Sequence, residues 1–263
     1  MTYDLLEEIK AEYDLCINKP EKYQQKVDRI SSLFSLSGKK RLKAEICPVY
    51  LFGKYRLTPF VIFGINPGYS QMNSPIEDQE ARRSWKHYQD LYLNFFLYFS
   101  NNRFESPYYT SLWHFVSGLV NSDDRREHQK KDKWKLFDTY LTNIELIPYH
   151  SEGISLPPEL SRTQLCYLTS RFQNSLRFIV KFGPKLFIFN GNPWYVLLIK
   201  HNLIKGYEKV QITDRFNLYF FDLEEIPCVL FDKFFQRHFW GITDYDRKTT
   251  IPNLIRKRYQ NLT

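Results

Sequence analysis

The chain has 263 residues, 43% of them hydrophobic with 22 Phe and 19 Tyr, a composition that argues against a disordered chain and for one globular domain. Its 37 Lys and Arg outnumber 29 Asp and Glu, giving a net charge of +8, so a polyanion is a natural partner to consider. No stretch approaches the roughly 20 apolar residues of a membrane span or has the layout of a signal peptide, which predicts a cytoplasmic protein with no membrane attachment. Cys16, Cys47, Cys166 and Cys228 lie far apart with no Cys-x-x-Cys pair, and the six His show no metal-ligand spacing. Reduced structural thiols and no metal site are expected.

From the N-terminus, the first 35 residues read as two helices, the second starting at Pro20 with Tyr23, Val27, Ile30 and Phe34 along one side. Residues 1–57 are taken as a helical N-terminal extension. The run PFVIFGI, 59–65, is the pattern of a strand covered on both faces, and it recurs at 143–149, 185–191 and 226–231. Helical patterns fall at 85–100, 107–120, 160–182, 193–203 and 247–259. The clearest is 160–182, with Leu165, Leu168, Phe172, Leu176 and Ile179 in register before Gly183-Pro184. Residues 207–223 read as a hairpin turning at Asp214-Arg215. Strands alternating with helices predict one α/β domain over 1–263, a three-layer sandwich around a central four-stranded parallel sheet.

Positive charge clusters in KKRLK (39–43), RREHQKKDKWK (125–135) and RKR (256–258). Each run is either a solvated face or a track for a phosphate backbone, and Arg125, Arg126, Lys130 and Lys131 are the candidates for the second role. In parallel sheets ligands bind beyond the carboxyl ends of the strands, so the residues after each apolar run are the candidate site. These are Asn66-Pro67-Gly68-Tyr69-Ser70, then Pro148-Tyr149-His150-Ser151, then Asn190-Gly191-Asn192-Pro193-Trp194, then 232–246. Each has a plainer reading. Asn66-Pro67-Gly68 is also good turn chemistry, Tyr69, Tyr149, Trp194, Phe239 and Trp240 suit core packing, and Asn190 and Asn192 suit a helix cap. His150 is either a base-edge donor or a satisfied structural histidine.

The stretch Gly64-Ile65-Asn66-Pro67-Gly68 resembles the first motif of the uracil-DNA glycosylase superfamily, in the form carried by its mismatch-specific uracil and thymine branch. The resemblance extends, in the order of strands and helices, over about residues 58–262. It implies that Asn66 orients the attacking water and that Gly64, Ile65, Pro67, Gly68 and Tyr69 line the base pocket with Tyr149, His150, Ser151 and Asn190. The family's second motif follows the last strand. Here it would be filled by His238 at the leaving base, with Arg237, Phe239 and Trp240 as DNA wedge and contact. The usual His-Pro-Ser run is absent there, and Asp232 and Lys233 are alternatives for that place. The end of the 143–149 strand lacks the Asn by which uracil-specific members read the base, and the cysteines do not match the family's iron–sulfur ligands.

The implied activity is that of a DNA glycosylase acting on a flipped-out base with no cofactor. Breaking an N-glycosidic bond puts positive charge on the sugar and negative charge on the base, so a water must be held below C1′ and the anion above it. A neutral amide orients water well but is a weak base, so anion stabilisation has to carry much of the reaction. Uracil, a mismatched base, a damaged base and a hypermodified base of viral DNA all stay open as substrates, the last implying a defence role rather than repair. Strand preference and oligomeric state also stay open. The rival reading is a nucleic-acid-binding protein that kept the fold without the activity. A phosphate-ester hydrolase ranks last, for want of a carboxylate cluster to hold metal ions.

Overall fold

A computed structural model describes residues 4–68, 71, 74–93, 107–120, 130–154, 156–233, 241–260 and 262. All four apolar runs form strands. Phe60–Gly64 (β2), Leu141–Glu145 (β3), Leu186–Asn190 (β4) and Ile226–Phe231 (β7) pair parallel, β3 to β2, β2 to β4 and β4 to β7. The sheet is nevertheless larger and mixed, seven strands in the order β1-β3-β2-β4-β7-β6-β5, where the sequence suggested four parallel ones. The hairpin Glu208–Thr213 (β5) and Phe216–Leu223 (β6) does not stand apart from the sheet. It adds antiparallel to β7, because Leu218, Tyr219, Phe220 and Phe221 all need burial. At the opposite edge Leu51–Phe52 (β1) pairs antiparallel with β3, a strand too short to give a period of two in the sequence.

The second strand lies two residues earlier than its apolar run. Leu146 and Ile147 still donate their N–H groups to the carbonyls of Gly64 and Ile65, at 3.2 and 2.8 Å, but Pro148 has no N–H with which to continue the ladder. Helices cover both faces. On one, Phe63 and Phe189 stack at 4.9 Å and meet Phe172 and Trp194, from the helices Arg162–Ile179 and Asn192–Tyr195. On the other, Phe231 meets Phe115 of the helix Pro107–Leu119, and Phe60 meets Tyr140 at the end of the helix Lys130–Tyr140.

Local signals account for the ends of these helices. Ser161 and Gln164 form a capping box before Arg162, and Gly183, at φ 62°, closes the last turn. The helix expected at 85–100 is described as Trp85–Tyr92; its remainder, 94–100, lies outside the described residues. The helix Ser74–Ala81 was not expected, and the basic run at 125–135 contains the start of the helix Lys130–Tyr140. No described helix is long and apolar enough to cross a membrane.

The N-terminal helices Leu5–Asn18 (α1) and Pro20–Leu33 (α2) are bound into the domain through a buried carboxylate. Glu12, 3% exposed, accepts hydrogen bonds from the hydroxyls of Tyr149 at 2.9 Å and Tyr50 at 3.1 Å, and pairs with Lys26. Removing it takes the acceptor from the buried Tyr149 hydroxyl and leaves that of Tyr50 only Glu8 at 3.4 Å, whereas Lys26 is close to half exposed. Glu12→Ala is therefore expected to cost about 2–4 kcal/mol in denaturant unfolding, and Lys26→Ala less than about 1 kcal/mol.

Candidate functional site

Strand β2 sends the chain to β3 on one side, and its neighbour β4 sends it to β5, at the far edge, on the other. Where neighbouring loops diverge in this way an open sheet takes its ligands, so the carboxyl ends of β2 and β4 are the candidate crevice. The register brings a row of residues to one face there. Gly64 is paired with Glu145, Asn190 is level with Gly64 one residue beyond the Phe63–Phe189 pair, and Phe231 is paired with Asn190. Two residues before Glu145 on the same face stands Asn143.

Asn66 follows directly in the crevice. Its Nδ2 donates to Ser151 Oγ at 2.8 Å, to the Pro67 carbonyl at 2.9 Å and to the Tyr149 carbonyl at 3.4 Å. All donor capacity of the amide is thereby spent on the protein, while Oδ1 accepts no hydrogen bond from any described residue. The side chain is part-exposed, so Oδ1 is an oriented acceptor without a donor among the described residues. Ser151 is fully buried and serves as an anchor. Its Oγ also accepts from the Gly153 N–H, its own N–H donates to the Pro67 carbonyl, and the Gly68–Ser151 bridge ties the two loops in parallel. Gly68 is exposed, and a Cβ there would meet nothing within 4 Å, which leaves the backbone open to close approach.

His150, 3% exposed, contacts the Gly68 carbonyl through Nδ1 at 2.9 Å. A carbonyl only accepts, so Nδ1 carries the proton and Nε2 is a bare acceptor. Nε2 is buried with no partner among the described residues, and burial lowers the imidazole pKa to about 4. The histidine is therefore neutral and presents an acceptor rather than the base-edge donor considered from sequence.

Two residues of the site escaped the sequence reading. Glu145 Oε1 accepts from Asn143 Nδ2 at 2.6 Å, while Glu145 Oε2 and Asn143 Oδ1 are buried without partners among the described residues. Burial raises the Glu145 pKa to about 7 against the opposing hydrogen bond from Asn143. The carboxyl lies directly on Gly64, where a Cβ would come within 2.3 Å of Oε2 and 2.6 Å of Oε1. The available signal was the polar, apolar, polar alternation Asn143-Ile144-Glu145 inside a run read as uniformly apolar.

The other candidates fall in different places. Ile65 is buried and its carbonyl takes the Ile147 N–H, so it holds the two loops together. Tyr149 turns its hydroxyl to Glu12 and its ring to Tyr23, and Trp194 is buried among Phe63, Phe172 and Phe189; both belong to the core. Asn190 is 3% exposed, and the helix Asn192–Tyr195 has Gly191 at its N-cap with no side-chain cap, so neither Asn190 nor Asn192 has the capping role. Both carboxylate oxygens of Asp232 accept from Asn217, at 3.0 and 2.7 Å, which fixes the β6–β7 pairing. The run 39–43 is strapped to the site by backbone: the Lys43 N–H donates to the His150 carbonyl at 2.9 Å and the Glu152 N–H to the Lys39 carbonyl at 3.3 Å. Tyr69, Arg125, Arg126, Arg237, His238, Phe239 and Trp240 lie outside the described residues, as do the side chains of Lys130 and Lys131. Among the described residues no three of His, Cys, Asp and Glu converge to hold a metal ion.

Compared with protein-family models and with curated proteins, the chain matches none.

Gly64→Ala is expected to destabilise the fold by about 1–3 kcal/mol through the clash with Glu145. In a Glu145→Ala background the same change should cost far less, and additive denaturation energies in the double-mutant cycle would rule out the contact.

The two shifted groups give opposite pH slopes. Glu145 titrates near 7 when folded and near ~4.3 when unfolded, so its contribution is full below the unfolded value and is lost as pH rises through 7. His150 titrates near 4 when folded and near ~6.5 when unfolded, so its contribution is full above the unfolded value and is lost as pH falls towards 4. Each slope is about 1.4 kcal/mol per pH unit, and between about pH 4.5 and 6.5 they oppose. Relative to wild type, Glu145→Gln should lose stability towards acid and His150→Gln towards neutral pH, as read from denaturant midpoints across that range.

Proposed function

We propose that the chain is a DNA glycosylase, hydrolysing the N-glycosidic bond of a base turned out of the stack into the crevice between β2 and β4. The observation that carries this reading is Asn66, whose Nδ2 is consumed by Ser151 and two backbone carbonyls so that Oδ1 is held as an acceptor at the strand ends. Such an oxygen takes one hydrogen of a water and fixes the direction in which its lone pair points. The pinned orientation supplies positioning, the main contribution a neutral amide can make.

The surroundings support the same chemistry. His150 is neutral, Glu145 is neutral through much of the range below pH 7, and Asn66 and Ser151 carry no charge. Fixed dipoles that are oriented before the ligand arrives stabilise a developing charge without reorganising. The exposed backbone at Gly68 and the strapped run at Lys39 to Lys43 border the crevice, where a phosphate backbone would pass on either side of the extruded nucleotide. DNA is the partner in this reading, and the parallel strands β3, β2, β4 and β7 are the part of the fold that supports it.

The test is base release from duplexes carrying uracil, mismatched, damaged or hypermodified bases, followed by alkali and detection of strand breaks. On an accepted substrate Asn66→Ala is expected to slow release by about 10²–10³-fold, with DNA affinity little changed. Wild-type rates in Asn66→Ala would reduce the motif to a turn. Binding without release from any substrate by the wild type would favour a nucleic-acid-binding module.

A further inference from the structure

Water positioning by Asn66 leaves Glu145 without a task, and three features of its placement say that it has one. It closes β3 level with Gly64, two residues before Asn66, at the edge of the crevice. Its carboxyl is held in one orientation, with Oε1 taken by Asn143 Nδ2 at 2.6 Å and Oε2 turned to no described partner. The last residue of β2 is a glycine, and the space of the missing side chain is the space in which the carboxyl lies.

A structural carboxylate at such depth is normally paired with a cation or saturated with donors, because an enclosed polar oxygen left alone costs free energy. Glu145 has Asn143 alone among the described residues. Leaving a polar oxygen unmatched at the end of a strand, beside an oriented amide, is the arrangement of a recognition group whose partner arrives with the ligand.

We propose that Glu145 is a specificity-determining residue of this site, its Oε2 hydrogen-bonding the edge of the bound nucleobase at an acceptor atom, a ring nitrogen or a carbonyl oxygen. The inference takes its ligand class from the glycosylase reading. The contact transfers no proton. It requires the carboxylic acid form, which burial favours up to about pH 7, and the ionised form would face the base acceptor as a second acceptor. Glutamine has the same shape, keeps a donor and does not ionise, and leucine fills the space with no polar atom.

The experiment is a titration of free uracil and free cytosine into the full chain at pH 6 and pH 8.5, run beside base release from the duplex panel. Wild type is expected to bind its preferred base about tenfold more weakly at pH 8.5 than at pH 6, the worth of one hydrogen bond. Glu145→Gln should bind with little change between the two pH values, and Glu145→Leu at least about tenfold more weakly than wild type at pH 6. Wild-type affinity in Glu145→Leu, the wild-type pH profile persisting in Glu145→Gln, or no binding of either base by the wild type would each overturn the inference. Should Glu145→Leu not fold, Glu145→Gln alone decides through its pH profile. These outcomes are separable from failure of the parent reading, which is judged by base release and by Asn66→Ala.

Discussion

Strand β2 has both faces covered by aromatic side chains, and this constraint organises the molecule. Phe63 lies under Trp194 and Phe172 on one side, while Phe60 meets Tyr140 on the other. Nothing polar fits along its first four residues, so every group able to do chemistry is displaced to the carboxyl end. There the strand changes character within three residues, from Phe63 to a glycine that yields its volume to a neighbour and then to an amide. The site is the place where the sandwich stops being able to exclude water.

Hydrogen bonds from the loop that follows β3 tie that end down. Asn66, Ser151 and Gly68 form a small closed network in which side chain, hydroxyl and backbone satisfy one another, and His150 is fixed by the same loop through Gly68. The acceptors that remain are uncharged and each is oriented by a donor spent elsewhere. That is a different design from an ion-pair cluster: the groups offer direction rather than field strength, and salt should screen them little.

Much of the framework was legible because the signals were redundant. Continuous apolar runs bounded by Pro, Gly or Asn located β2, β4 and β7, and Gly183-Pro184 closed the longest helix where the period ended. Sheet membership was less legible. The hairpin at 208–223 carried its own turn, but nothing local states which strand a hairpin will join, and Leu51–Phe52 was too short to be seen. At the strand ends, Asn66 was singled out because a proline and a glycine follow it. Glu145 was missed because its importance depends on register, which puts it beside Gly64 across 81 residues of chain. His150 was found, but with the wrong hydrogen-bonding sense, since the tautomer is set by a carbonyl 82 residues away.

The link between the N-terminal helices and the strand-end loop has a further consequence. Tyr149 and His150 are adjacent; the first bonds to Glu12 in α1, and the second receives the Lys43 backbone amide. A boundary drawn at residue 57 would therefore cut the supports of the strand-end loop rather than trim an appendage. Thermodynamic linkage extends this in the other direction: a ligand that immobilises residues 149–151 also disfavours the openings by which α1 detaches. Occupancy of the crevice should then register as slower amide hydrogen exchange along Leu5–Asn18, a helix that touches no ligand.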